Sequence, residues 1–185
     1  TVVVTARDAQ GNTATGFSDS ASLAISAGTG ISGAALHGVT KVAAVAGVAT
    51  FGAVHIDGAG TGYTLTASAP GPTSPTSATS SAFDILPSSA GHLTFTGQPA
   101  NRAAGAAFGV TVTVRDSLGN AATGDTGVVS LAITSGTGQA GAHLLGTPTA
   151  KAVAGVATFS GLSVDSAGTG YTLTASASAT ASATS

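Results

Sequence analysis

Apolar residues along this chain recur mostly with a period of two. Residues 110–115 read VTVTVR, a strand whose valines should face a core and whose threonines should face out. The same alternation and β-branched content predict strands over 128–134, over 156–159 running on to 164, and over 170–175. Gly and Ser clusters such as 135–138 punctuate them, and no segment keeps a helical period for a convincing length.

The pattern occurs twice. GTGYTLTASA around Tyr63 returns around Tyr171, AVAGVATF ending at Phe51 returns ending at Phe159, and Arg7-Asp8 returns as Arg115-Asp116, each at an offset of 108 residues. No gap separates these anchors, so the copies share loop lengths as well as strands, and the period suits one β-sandwich of about 100 residues. The expected fold class is all-β, with two tandem immunoglobulin-like sandwiches. Phe51, Phe159, Phe95, Phe108, Leu23, Leu131, Leu65 and Leu173 are the expected core residues.

Two loops carry specific chemistry. After the strand at 110–115, residues 116–120 (DSLGN) read as a turn in which Asp116 bonds its own downstream backbone while Gly119 tolerates positive φ; Asp8 and Gly11 are the counterparts. Asp57, an Ala-Gly turn and then Tyr63, with Leu65 two positions on, resemble the tyrosine corner of immunoglobulin-like sandwiches, in which the phenol anchors upstream backbone. Asp165, Tyr171 and Leu173 repeat the set.

Unit one spans 1–86. It begins inside its copy of the strand at 110–115, so its first strand is absent, and its last strand is read at 81–86 (SAFDIL). A linker follows at 87–90. Unit two spans 91–185, with an additional first strand at 92–96 (HLTFT) and no copy of SAFDI, so its last strand is expected to be absent. Each unit thus lacks one edge strand, to be filled within a longer tandem array or by another chain. The Ser/Thr-rich stretches 70–81 and 176–185 read as extended connectors, with scope for O-glycosylation there.

The residues VTVTVRDSLGN, AVAGVATFSGLSVDSAGTGYTLTASA, SATSSAFDI and LTFTGQPANRAAGAAFGV resemble the bacterial Ig-like repeats of very large surface and secreted proteins. They are similar, more distantly, to the extender domains of invasin and intimin-type adhesins. The resemblance implies seven-strand sandwiches used in series as a stalk, fibre or filament spacer at the cell surface, with neighbouring copies of the repeat as partners. It implies no catalytic residues.

Composition narrows the chemistry. The chain is 43% hydrophobic but has only 6 Phe, 2 Tyr and no Trp or Met, so its cores must be built from small residues. Charged residues make up 6% and the net charge is −2, which gives no basic face for nucleic acid. Cysteine is absent, so there are no disulfides or thiolate sites, and no apolar run approaches the roughly 20 residues that cross a bilayer. The scarcity of Lys and Arg leaves few trypsin-type cleavage points, as would suit exposure outside a cell. No signal peptide precedes Thr1, so the chain is expected to be soluble or anchored from elsewhere.

Candidate reactive groups are thin. None of the four histidines is repeated at the 108-residue offset, and neither HxH nor HExxH occurs. No GxSxG elbow is present, Lys41 and Lys151 do not align for a shared isopeptide bond, and the Gly-Thr-Gly strings have no following helix to bind phosphate. Calcium is the one cofactor the aspartates could serve, through Asp84 at the junction, Asp57 and Asp165, although one Asp per loop is a small supply of oxygens. No enzyme is expected. The alternative to a spacer is an adhesive module that takes glycan or a host protein through its end loops, with Phe17 as the candidate aromatic.

Overall fold

The computed structural model describes residues 1–70, 75–178 and 180–185, with backbone alone for 180–182. It is all-β and divides into two compact units, Thr1–Leu86 and Pro87–Ser185. The middle of the proposed 70–81 connector, residues 71–74, lies outside the described residues.

Unit one contains β1 (Val2–Thr5), β2 (Ser20–Ile25), β3 (Leu36–His37), β4 (Lys41–Ala43), β5 (Val48–Phe51), β6 (His55–Ile56), β7 (Gly60–Tyr63), β8 (Leu65–Ser68), β9 (Ala78–Thr79) and β10 (Phe83–Ile85). Its sheets are β4-β2-β8-β9, β1-β5, β3-β6 and β7-β10, all antiparallel. The alternation seen in the sequence decides which side chains go in. Phe51 is fully buried, and Ala21, Leu23, Ala49, Leu65 and Ala67 pack with it. Phe17 packs against this same cluster and is half-buried, so the aromatic expected to mark a binding loop is a packing residue.

Unit two contains β11 (His92–Gly97), β12 (Phe108–Arg115), β13 (Val128–Ile133), β14 (Leu144–Leu145), β15 (Thr149–Lys151), β16 (Val156–Val164), β17 (Leu173–Ala177) and β18 (Thr180–Thr184). They form one sheet in the order β14-β16-β12-β11-β18-β17-β13-β15. Strand β11 runs antiparallel to β12 and parallel to β18, so it links the two layers of the sandwich along one side. Val110, Val112, Val114, Leu93, Val129, Leu131, Phe159, Leu162 and Leu173 form the core, with Phe95 and Phe108 partly buried against it.

Three expectations need correction. Residues 176–185 are not a connector: Ala177 ends β17 and Thr180–Thr184 forms β18, pairing Thr184 with Thr174 and Ala183 with Ala175. Strand β18 is the counterpart of β9 in unit one, which pairs with β8 as β18 pairs with β17. The strand read at 170–175 starts at Leu173, because 170–172 have no partner strand beside them. Thr113 does not face water: it is 6% exposed, and its hydroxyl meets that of Thr96 at 3.0 Å on β11.

The stretch read as a linker is held to unit two. The Ser88 amide donates to Asp116 Oδ2 at 3.1 Å, and the Gly91 amide donates to the Arg115 carbonyl at 2.7 Å. Lys41 and Lys151 lie exposed on β4 and β15, which end their sheets, where a charge discourages further strand pairing.

Candidate functional site

The groups singled out in the sequence all act on loops. In the turns that follow β1 and β12 the Asp carboxylate caps its own loop. Asp8 Oδ1 accepts the amides of Gln10 at 3.0 Å and Asn12 at 2.8 Å; Asp116 Oδ1 accepts those of Leu118 and Asn120, both at 2.9 Å. Gly11 and Gly119 take φ of 86° and 87°, the left-handed turn conformation that only glycine adopts cheaply. Arg7 and Arg115 close the loops by donating to the Gly11 and Gly119 carbonyls, each at 2.6 Å.

The two carboxylates sit in different surroundings. Asp8 is exposed, whereas Asp116 is 1% exposed and takes the additional Ser88 amide. Burial pushes the Asp116 carboxyl up, but its bonds from Asn120, Ser88 and Leu118 outweigh that and hold it below the usual carboxylate range. Asp8 is lowered chiefly by the Asn12 amide.

At the tyrosine corner, the Tyr63 hydroxyl donates to the Gly58 carbonyl at 2.8 Å and Tyr171 to the Ser166 carbonyl at 3.0 Å, each five residues upstream. The Gly-Thr-Gly strings at 28–30 and 136–138 complete the corner. Thr29 Oγ1 donates to the Ser26 carbonyl and accepts the Thr64 amide, and Thr137 Oγ1 does the same between Thr134 and Thr172. A Cβ on Gly30 or Gly138 would overlap the ring of Tyr63 or Tyr171, so both positions require glycine.

Asp57 and Asp165 brace the neighbouring loop. Asp57 Oδ1 accepts the Ala35 amide at 2.8 Å, and Asp165 Oδ1 accepts the His143 amide at 2.9 Å. Each carboxylate also meets an imidazole: Asp57 Oδ2 lies 2.8 Å from His37 Nε2, and Asp165 Oδ2 lies 3.0 Å from His143 Nδ1. These two histidines are not equivalent in the repeat. His37 matches Leu145 and His143 matches Ala35, so different chain positions deliver the same group to the same carboxylate. Sequence alignment hides this pairing, because only three dimensions bring 35 and 37 to one acid. His37 also stacks on His55 across β3 and β6, with ring centres 5.2 Å apart. The backbone amide is the leading cause that lowers both carboxyls, with the histidine bond next.

Asp84 is not brought to Asp57 or Asp165. Its Oδ1 accepts the Gly62 amide at 2.9 Å, between the paired strands β7 and β10. Among the described residues no three His, Cys, Asp or Glu side chains converge as metal ligands, and no helix is long and apolar enough to cross a membrane. The aspartates proposed for calcium accept hydrogen bonds from protein donors at separate places.

No family model matches the chain, and no curated protein matches it. Among solved structures it is similar to part of a β-glycosidase from Bacteroides vulgatus, at 13% identity and a TM-score of 0.46, covering 91% of this chain and 21% of that one. A Parabacteroides merdae β-glucuronidase is similar at 10% identity and a TM-score of 0.41, with 91% and 20% covered. The chain thus spans about a fifth of the length of these structures, and likenesses at this level say nothing of its activity.

Proposed function

We propose that the chain is a structural segment of an extracellular stalk, fibre or filament, a spacer in which Ig-like bodies follow one another and associate with further copies of the repeat. One observation carries the reading: the groups that recur in both copies are those that brace the body. Asp8 and Asp116, Tyr63 and Tyr171, and Asp57 and Asp165 each hold loop backbone at matching positions. A chain that repeats its braces and varies the rest is suited to bearing extension. The adhesive reading is left without its aromatic candidate, since Phe17 packs against the unit-one core.

Pulling single molecules from both ends tests this. The expected trace shows two separate unfolding events, each releasing about 30 nm of chain. One merged event, or gradual yielding without peaks, would count against a spacer, and saturable binding of a glycan or host protein by the end loops would move the reading to the adhesive alternative. Labelling intact producing cells with an antibody to the chain checks the location.

A further inference from the structure

The two copies differ at the edge of the tyrosine corner. In unit one, β10 runs antiparallel beside β7, with Phe83 opposite Tyr63 and Ile85 opposite Gly60. The Phe83 and Tyr63 rings stack at 6.1 Å, the Asp84 carboxylate takes the Gly62 amide, and Tyr63 is fully buried. In unit two the matching residues 168–171 form no strand and Tyr171 is only partly buried. Beside them lies a cleft of about 600 Å³, lined by Phe108, Val164, Gly168, Gly170, Tyr171 and Leu173 and by the 99–106 loop.

The approach to this cleft is already set. In unit one the Ser80 amide donates to the Leu65 carbonyl at 2.8 Å, and Ser80 Oγ accepts the Leu65 amide at 2.9 Å. Ser185 makes the same pair with Leu173, at 2.8 Å and 2.6 Å. Ser185 is therefore held as Ser80 is, three residues ahead of the place that Phe83 occupies in its own unit.

We propose that the cleft is a strand-acceptor groove for an extended segment of the Ser-Ala-Phe-Asp-Ile type, running in line from Ser185 and antiparallel to 168–171. Unit one displays the chemistry of the occupant. An aromatic ring stacks on the tyrosine, an acid takes the Gly170 amide as Asp84 takes that of Gly62, and a branched aliphatic residue lies opposite Gly168 as Ile85 does opposite Gly60. This assignment stands on the comparison of the two copies and does not depend on the spacer reading.

The test appends Ser-Ala-Phe-Asp-Ile after Ser185 of the full chain and follows hydrogen exchange. The Gly170 and Tyr171 amides should exchange roughly tenfold or more slowly, with the unit-one amides unchanged. A Ser-Ala-Ala-Asp-Ala tail should give none of this protection, and a Ser-Ala-Phe-Ala-Ile tail should lose it at Gly170 first. Equal protection by a scrambled tail would overturn the stated chemistry, and no protection by the matching segment, whether joined or free, would overturn the groove. The pentapeptide added in trans is the last arm: protection by it alone, without protection by the joined tail, would overturn in-line entry. Because a mechanical spacer could exist without this groove, failure here leaves the pulling result to stand or fall separately.

Discussion

In unit two, β11 lies between β12 and β18 and joins two layers into one eight-stranded sheet; in unit one, where β1 and β9 hold the places of β12 and β18, the layers remain separate sheets. Leu93 on β11 is buried in the unit-two core. The reverse holds at the other edge. Unit one has β10 and a buried tyrosine, while unit two has a cleft and a partly buried one. Strand β16 runs unbroken over nine residues because Phe108 pairs with Leu162 at its far end, whereas β5 stops at Phe51, opposite Val2. In each unit the strands at the edge set how far the layers are joined.

Substitutions can break or sharpen this comparison. The largest effect is expected at the shared centre: Phe51→Ala and Phe159→Ala should each destabilise their own unit by roughly 3–5 kcal/mol in chemical denaturation, since both rings are fully enclosed by core neighbours. Markedly unequal costs would mean the two cores are not equivalent. Next, Leu93→Ala should cost unit two about 2–5 kcal/mol and leave the exchange of unit-one amides unchanged. Tyr63→Phe should cost about 1–3 kcal/mol by stranding the Gly58 carbonyl in a buried site. Tyr171→Phe should cost visibly less, because water already reaches that corner.

Acid gives a smaller, graded effect. The carboxyls of Asp8, Asp57, Asp116 and Asp165 are all lowered in the folded chain from the ordinary 3.8. Their contribution is therefore complete above that value and is lost as pH falls through the folded values, so the melting temperature should decline only below about pH 4. Asp116→Ala should flatten that decline more than Asp8→Ala, since only Asp116 is enclosed. The smallest change concerns Ala46 and Ala154, which take φ of 49° in the tight turns before Gly47 and Gly155. Ala46→Asn or Ala154→Asn, which suits that conformation, should raise stability by roughly 0.5–1 kcal/mol, measured by calorimetry.

Much of this was legible in the residues. The valine alternation at 110–114 placed three core side chains, and the Asp and Tyr of each copy marked the loops that they hold. What was hidden lay where the repeat changes length. Ser-Ala-Thr-Ser at 77–80 returns at 182–185, an offset of 105 where the other anchors keep 108, so a reading without gaps passed over β18. The Asp57–His37 and Asp165–His143 pairs were hidden for another reason, because equal spatial positions come from unequal chain positions. Phe17 looked like an exposed loop aromatic only because its packing partners are distant in sequence.

The change in length between the paired strands has a practical meaning. Between Ser68 and Ala78 unit one allots three residues more than unit two does between Ser176 and Ala183, yet Ser80 and Ser185 grip Leu65 and Leu173 alike. The grip thus lies downstream of the change in length, so a difference of three residues is absorbed before the edge strand re-enters in register.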